Sequence, residues 1–289
     1  MFGFLNVDKP PGITSRDVVN RVQKLVKPHK VGHAGTLDPL ATGVLVVAIG
    51  PATRLIEHVQ QMPKTYLGAF LLGRTSDTED VDGNVTELHS PPIPTLSDVL
   101  AIVPQFIGSI QQRPPAYSAL KVAGQRAYDL VRRGETVNLT PRTIEVIQIE
   151  VVRYDYPALQ LRVQCGSGTY VRSLGRDLAE ALGNGAVMSA LQREAIGPFV
   201  VQDALSYESL TAANIPQRLL PASMALGNLA QVVVDHDEAA RLVRGQSIIN
   251  RFRVAASEAA ATDSEGRLVA LLASIGKMEW RPTKVFTTD

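Results

Sequence analysis

The alternation of apolar and polar positions along the chain predicts helices and strands in roughly equal share. After Thr14 and Ser15, the stretch RDVVNRVQKLVK sets Val18, Val22, Leu25 and Val26 on one face and predicts an amphipathic helix capped by one of the two hydroxyls. PATRLIEHVQQ, with proline early, predicts a short helix. LSDVLAIVPQFIG and QRAYDLVRRG predict two more, and GSGTYVRSLGRDLAEALG a loop that turns into a helix ending at Gly183. VLVVAIG is a continuous apolar run of strand length, and KTYLGAFLLG reads as a second strand. TIEVIQIEVVRYDY and ALQLRVQCG alternate as paired strands do, with a turn near Pro157. Residues 75–95, acidic and then proline-rich, predict a surface loop. Strands and helices mixed without a regular βαβ rhythm argue for an α+β fold with a mixed, mainly antiparallel sheet.

A boundary is expected near 210–230, where LTAANIPQRLLPASMALGNL is irregular. Beyond it QVVVD, SIINRFRVAAS, RLVALLASI and KVF are short β-type runs between turn signals, a pattern that suits a small β-barrel. The expected division is therefore a large domain over 1–225 and a small one over 226–289, in keeping with a chain of 289 residues. No apolar run approaches the roughly 18 residues of a membrane span, and MFGFLNVDKPPG has neither a basic stretch nor a cleavage site. One cysteine, Cys165, excludes an internal disulfide framework and a multi-cysteine zinc site. A cytoplasmic protein is expected.

The net charge of +1 conceals an uneven distribution. Residues 1–75 carry nine Lys/Arg against four Asp/Glu, 76–110 carry six acids and no base, and 111–200 carry eleven bases against eight acids. Local positive surface is compatible with that pattern, although charge alone selects no partner.

Candidate chemistry begins with GHAGTLDPLATGVL, where three glycines within twelve residues let the backbone turn sharply and approach a ligand. Asp38 lies between Leu37 and Pro39, and the proline biases it toward an extended conformation. Locally, an Asp-Pro turn is the commoner use of that dipeptide. The loop lacks the Gly-Lys-Ser/Thr ending of a phosphate-binding P-loop. His33 has no second His or Cys nearby that would make a metal site. The run Asp77, Glu79, Asp80, Asp82, Gly83 fails as a calcium loop, because Thr78 falls at the first ligand position and His89 at the last. Tyr170 and Arg172, two apart, would share a side of an extended segment. A guanidinium beside a carboxylate orients it and favours its charged form. Tyr66 in KTYLGAF reads equally well as a core tyrosine.

Taken together, these segments resemble the TruB family, the bacterial tRNA pseudouridine-55 synthases. NVDKPPGITS (6–15) resembles its first motif, and KVGHAGTLDPLATGVLVVAIG (30–50) its catalytic motif. KTYLGAFLLGRTSDTEDVDG, RPPAYSALKVAGQRAYDLVRRG, CGSGTYVRSLGRDL and LQREAIGPF follow in family order. The resemblance covers about 1–225, and the remainder is similar to a small RNA-binding PUA-type domain, with RLVRGQSI and WRPTKVF as weaker cues.

The resemblance implies a pseudouridine synthase fold and assigns roles residue by residue. Asp38 would attack the target nucleoside, Tyr66 would stack on the uracil, Tyr170 would be a candidate general base, and Arg172 would pair with Asp38. His33 would help hold the RNA with its base flipped out, and Leu191 would be the hydrophobic pocket residue. Lys9 and Pro10 would belong to the supporting first motif, and Asp80 to an acidic turn that contacts the T-loop. Ser167 departs from relatives that carry Lys there. The implied isomerisation needs no cofactor and no metal. The implied partner is the T-arm of tRNA, without a membrane, an obligatory protein partner or a guide RNA, since LATG is usual in the stand-alone branch. A non-catalytic RNA-folding module and a nucleosidase remain alternatives, and the resemblance leaves open whether Asp38 attacks C1′, attacks C6 or assists a glycal.

Overall fold

The computed structural model describes residues 1–286 apart from 119, 123, 136, 138, 228, 252, 253 and 277. Its main element is a ten-stranded mixed sheet. The strand order runs Leu205–Ser206, Gly3–Lys9, Thr42–Ile49, Ala186–Ile196, Lys64–Leu72, Ala158–Cys165, Arg142–Asp155 and Gly108–Gln112. Val31–His33 joins Thr42–Ile49, and Phe199–Val200 joins Ala186–Ile196. Most pairs are antiparallel, but Ala186–Ile196 runs parallel to Thr42–Ile49 and touches it at only two register positions, Gln192 with Thr42 and Arg193 with Gly43. The sheet is thereby two halves joined at a short seam, a left half from Leu205–Ser206 to Thr42–Ile49 and a right half from Ala186–Ile196 to Gly108–Gln112.

The predicted elements form for the expected reasons. Thr14 caps the Ser15–Leu25 helix in a reciprocal box: its hydroxyl accepts from Asp17 N and Asp17 accepts from Thr14 N. Val18 and Val22 are fully buried against Leu5, Leu45 and Val47 of the left half. The paired strands Arg142–Asp155 and Ala158–Cys165 and the Val171–Ala181 helix followed by Gly183 in a left-handed conformation are all present. Gly50–Leu55 is a 3₁₀ turn leading into the Ile56–Gln61 helix. Ala179, Leu178 and Leu174 of the Val171–Ala181 helix pack on the right half of the sheet with Phe70, Leu161 and Val163. Gly175 makes that docking close, because a Cβ there would lie 2.1 Å from Phe70.

Six strands of the sheet, the short Val31–His33, Phe199–Val200 and Leu205–Ser206 together with Gly3–Lys9, Gly108–Gln112 and Ala186–Ile196, were not among the predicted elements. The last is central, hydrogen-bonded to Lys64–Leu72 along its length, yet its Ala, Met, Gln and Glu residues favour a helix in isolation; pairing on both sides decides its state. Tyr170 and Arg172 also differ from expectation. The segment is not extended through both, because the helix starts at Val171 and Tyr170 is its N-cap.

The C-terminal part is a five-stranded sheet in the order Ala230–Val233, Glu258–Thr262, Leu268–Ile275, Glu279–Val285 and Ile248–Ile249. The path is open among the described residues rather than closed as the expected barrel. An unpredicted helix, His236–Val243, fills the connection between its two edge strands and buries Leu242 against it. Ala260, Leu268, Leu271 and Phe286 of this part share one apolar cluster with Phe4, Val44 and Ala225 of the larger part. Phe2 and Phe286 stack with centroids 5.4 Å apart across that junction.

Candidate active site

Asp38 lies on the loop that enters Thr42–Ile49, beside the seam. Its carbonyl accepts from Ala41 N at 3.0 Å, closing a turn with Pro39 second. The Asp-Pro turn and the exposed carboxylate are therefore one structure. The loop is fastened along its length. Buried Ser15 accepts from Leu37 N at 2.8 Å and donates to Leu37 O at 3.1 Å. The ammonium of Lys9, wholly buried, donates to Pro10 O, Ile13 O and Pro39 O at 2.9, 2.8 and 3.3 Å. Burial lowers the Lys9 pKa to about 8, an effect that attraction to Asp38 partly opposes. Pro10 stands half-buried at the head of this first-motif turn.

Facing Asp38, Arg172 occupies the first turn of the Val171–Ala181 helix. Its Nη2 lies 3.1 Å from Asp38 Oδ2 and donates to Tyr117 O at 3.2 Å; its Nη1 reaches Asp80 Oδ2 at 3.2 Å and Thr78 O at 2.7 Å. The arginine side chain is 7 % exposed and Asp80 also 7 %, whereas Asp38 is 43 % exposed. One guanidinium thus joins a buried carboxylate to an accessible one. Asp80 is further held by Thr78 Oγ1 and Asp82 N. The acidic run around it is an inward-folded turn: Glu79, at a left-handed φ of 64°, accepts from Ser173 Oγ at 2.6 Å and from Arg176. Burial raises the Glu79 pKa, offset in part by those two partners.

Tyr170 is fixed through its backbone. The amide of Gln112, fully buried, accepts from Tyr170 N at 2.9 Å and donates to Tyr170 O at 3.0 Å. The Arg142 guanidinium lies 4.9 Å over the Tyr170 ring and donates to Gly168 O. Tyr66 comes from Lys64–Leu72 and is paired in register with Arg193. Burial raises the Tyr66 pKa, so the phenol is neutral at pH 7. Leu191, 8 % exposed, pairs with Gly68 on the same two strands. His33 ends Val31–His33; burial lowers its pKa, and its Nδ1 is buried without a hydrogen-bond partner among the described residues.

The structure therefore gathers Asp38, Arg172 and Asp80 in one chain of contacts and sets Tyr66, Leu191 and Tyr170 on the strands and helix that flank it. Lys9 and Asp80 face inward. Sequence reading passed over Gln112, Arg142, Lys64 and Arg193. The signal for Arg193 was available: an arginine in an apolar strand must be buried against something.

Comparison with known proteins follows the same lines. The family described as TruB family pseudouridylate synthase, N-terminal domain, matches residues 23–171. The tRNA pseudouridine synthase B of Dehalococcoides mccartyi is 40 % identical over 99 % of this chain and 97 % of its own length. That of Bradyrhizobium diazoefficiens is 39 % identical over 98 % and 85 %. Among solved structures, a chain of a Cbf5–Nop10–Gar1 complex superposes with a TM-score of 0.75 at 26 % identity, covering 99 % of this chain and 84 % of that one.

Proposed function

The chain belongs to the TruB family of pseudouridylate synthases, and on that premise we propose that it isomerises uridine-55 in the T-loop of tRNA to pseudouridine. The observation that carries this reading is the Asp38–Arg172 pair, 3.1 Å apart, in which the arginine is buried and the carboxylate accessible. A charged nucleophile needs a fixed direction and an open face, and the inner contacts of Arg172 with Asp80, Thr78 and Tyr117 supply the first without closing the second.

The reaction breaks the N1–C1′ bond, turns the uracil and joins C5 to C1′, with the C5 proton removed and N1 protonated. No electrons are exchanged with a cofactor. A stacked T-loop base must first be extruded. Stacking of the uracil on Tyr66 offsets roughly 1–3 kcal/mol of that cost, and Leu191 forms an apolar side of the pocket. Asp38 attacks the nucleoside. Tyr170, its backbone held by Gln112, is the base that takes the C5 proton. His33 holds the displaced RNA. Lys9, Pro10 and Asp80 support the two walls from behind, and the turn around Asp80 lies against the T-loop. Lys and Arg of 1–75 and 111–200 contact phosphates, so affinity falls with salt. The C-terminal sheet serves as a PUA-type RNA-binding unit, and splaying of the T-loop on binding assists tRNA folding. The near full-length likeness to bacterial proteins named tRNA pseudouridine synthase B supports action in the cytoplasm without guide RNA or protein partner.

The deciding experiment maps pseudouridine, by mass or chemical labelling, in a tRNA transcript treated with the protein. Wild type should modify position 55, and Asp38→Asn should lose at least about 10⁴-fold in rate while binding the transcript normally. Tight tRNA binding by wild type with no product would favour the RNA-folding alternative, and free uracil would indicate a nucleosidase.

A further inference from the structure

Arg193 is one of the largest fully enclosed side chains in the protein, 2 % exposed. Among the described residues no carboxylate lies within ion-pair distance of it. A guanidinium buried without an anion is costly unless its donors are satisfied. Here Nε donates to Val44 O at 2.7 Å, Nη1 to Thr36 O at 3.4 Å and Nη2 to Gly35 O at 3.1 Å. Those three carbonyls bracket Asp38 on both sides. The backbone of Arg193 pairs with Gly43 across the two-position seam, so close that a Cβ on Gly43 would lie 2.3 Å from Arg193 O. On its other edge Arg193 stands opposite Tyr66.

We propose that Arg193 is a positioning residue of this active site, setting the backbone of the Asp38 loop with one guanidinium. It touches neither nucleoside nor RNA. It acts by fixing the Asp38 loop against the strand paired with Lys64–Leu72, across the seam where the sheet has only two residue pairs to hold its halves in register. The inference rests on the proposed reaction.

The test compares Arg193→Lys with Arg193→Gln, assayed by single-turnover pseudouridine formation on a T-arm hairpin and by binding of that hairpin in an Asp38→Asn background. A lysine keeps the charge but cannot span three acceptors. Arg193→Lys should lower the rate about 100-fold, the scale of an ångström of misplacement, with hairpin affinity within threefold of wild type, and Arg193→Gln should lower it at least as much. A rate for Arg193→Lys within threefold of wild type would overturn the inference. If Arg193→Lys does not melt cooperatively, Arg193→Gln decides, and a rate within threefold of wild type overturns it. Wild type that forms no product defeats the functional reading instead, and this inference falls with it.

Discussion

The two walls of the candidate site are built by different chemistry. The wall that bears Asp38 is fastened through backbone: Ser15 binds both groups of Leu37, and Lys9 and Arg193 reach only carbonyls. The wall that bears Arg172 is fastened by charged side chains drawn from segments far apart, with Asp80, Glu79 and Arg176 locked around one helix start. A backbone-held loop tolerates change in the carboxylate it presents, because that side chain carries none of the scaffold. A wall made of ion pairs uses the same groups for scaffold and for chemistry. Arg172 belongs to both walls.

The largest combined effect on turnover and stability should therefore come from Arg172→Lys. An ammonium cannot contact Asp38, Asp80, Thr78 O and Tyr117 O together. Turnover should fall at least about 100-fold and the melting temperature should drop. A variant that lost turnover yet melted like wild type would show that the scaffold does not depend on this arginine, and the contrast between the walls would fail.

The two carboxylates on Arg172 sharpen it next. Asp80→Asn leaves a buried guanidinium short of its inner charge and should cost about 3 kcal/mol of stability, read by urea unfolding. Asp38→Asn, at the exposed end, should leave the urea midpoint nearly unchanged while abolishing turnover. Equal losses of stability for the two substitutions would erase the distinction between inner and outer carboxylate.

The same difference explains what could be read from the sequence. The Asp38 wall was legible because its determinants are local: glycines at turns, Pro39 after Asp38, a capping box at Thr14 and Asp17, an apolar strand directly after. The Arg172 wall was only half legible. Asp80 sits in a run whose composition reads as solvated, and nothing nearby signals that it turns inward to a residue 92 positions away. Ala186–Ile196 was missed because its pairing, not its composition, makes it a strand. The His236–Val243 helix had a readable signal, since Asp235 and Glu238 form a capping box, but neighbouring β-type runs dominated the pattern. The four-residue set of Asp38, Tyr66, Tyr170 and Arg172 came from ordered motifs rather than local chemistry; the spacing of Tyr170 and Arg172 suggested a shared extended face that the helix start removes.

A gentler change probes the backbone contacts of the second wall. Gln112→Glu keeps shape but replaces the donor facing Tyr170 O with an acceptor, within a fully buried position. An unmade buried hydrogen bond costs about 1–3 kcal/mol. Stability should fall by that order, and the rate should fall about 10-fold through displacement of Tyr170, with hairpin binding retained. An unchanged rate would leave Gln112 with scaffold duty alone.

The smallest effect separates two lysines that share an electrostatic condition but not a place. Lys9 supports the Asp38 wall, and Lys64, 7 % exposed, donates to Gln60 O and to Met62 O below the seam. Burial lowers both to about 8, against roughly 10.4 in an unfolded chain. Between about pH 8 and 10.4 the unfolded state thus holds more protons than the folded one, so each lysine makes unfolding harder as pH rises through that window. Below pH 8 both states are protonated and the burial cost is fully present. Wild type should accordingly gain roughly 2 kcal/mol over Lys64→Met between pH 7.5 and 9.5, measured as the shift in urea midpoint, and Lys9→Met should show the same differential. Turnover should divide the pair: Lys9→Met frees Pro39 O beside Asp38 and slows the reaction, whereas Lys64→Met leaves it within about twofold, since the cost of misplacement falls on groups that hold the reacting carboxylate. If both lysine variants slowed turnover alike, the Asp38 wall would depend on buried charge generally, and not on the particular carbonyls that Lys9 reaches.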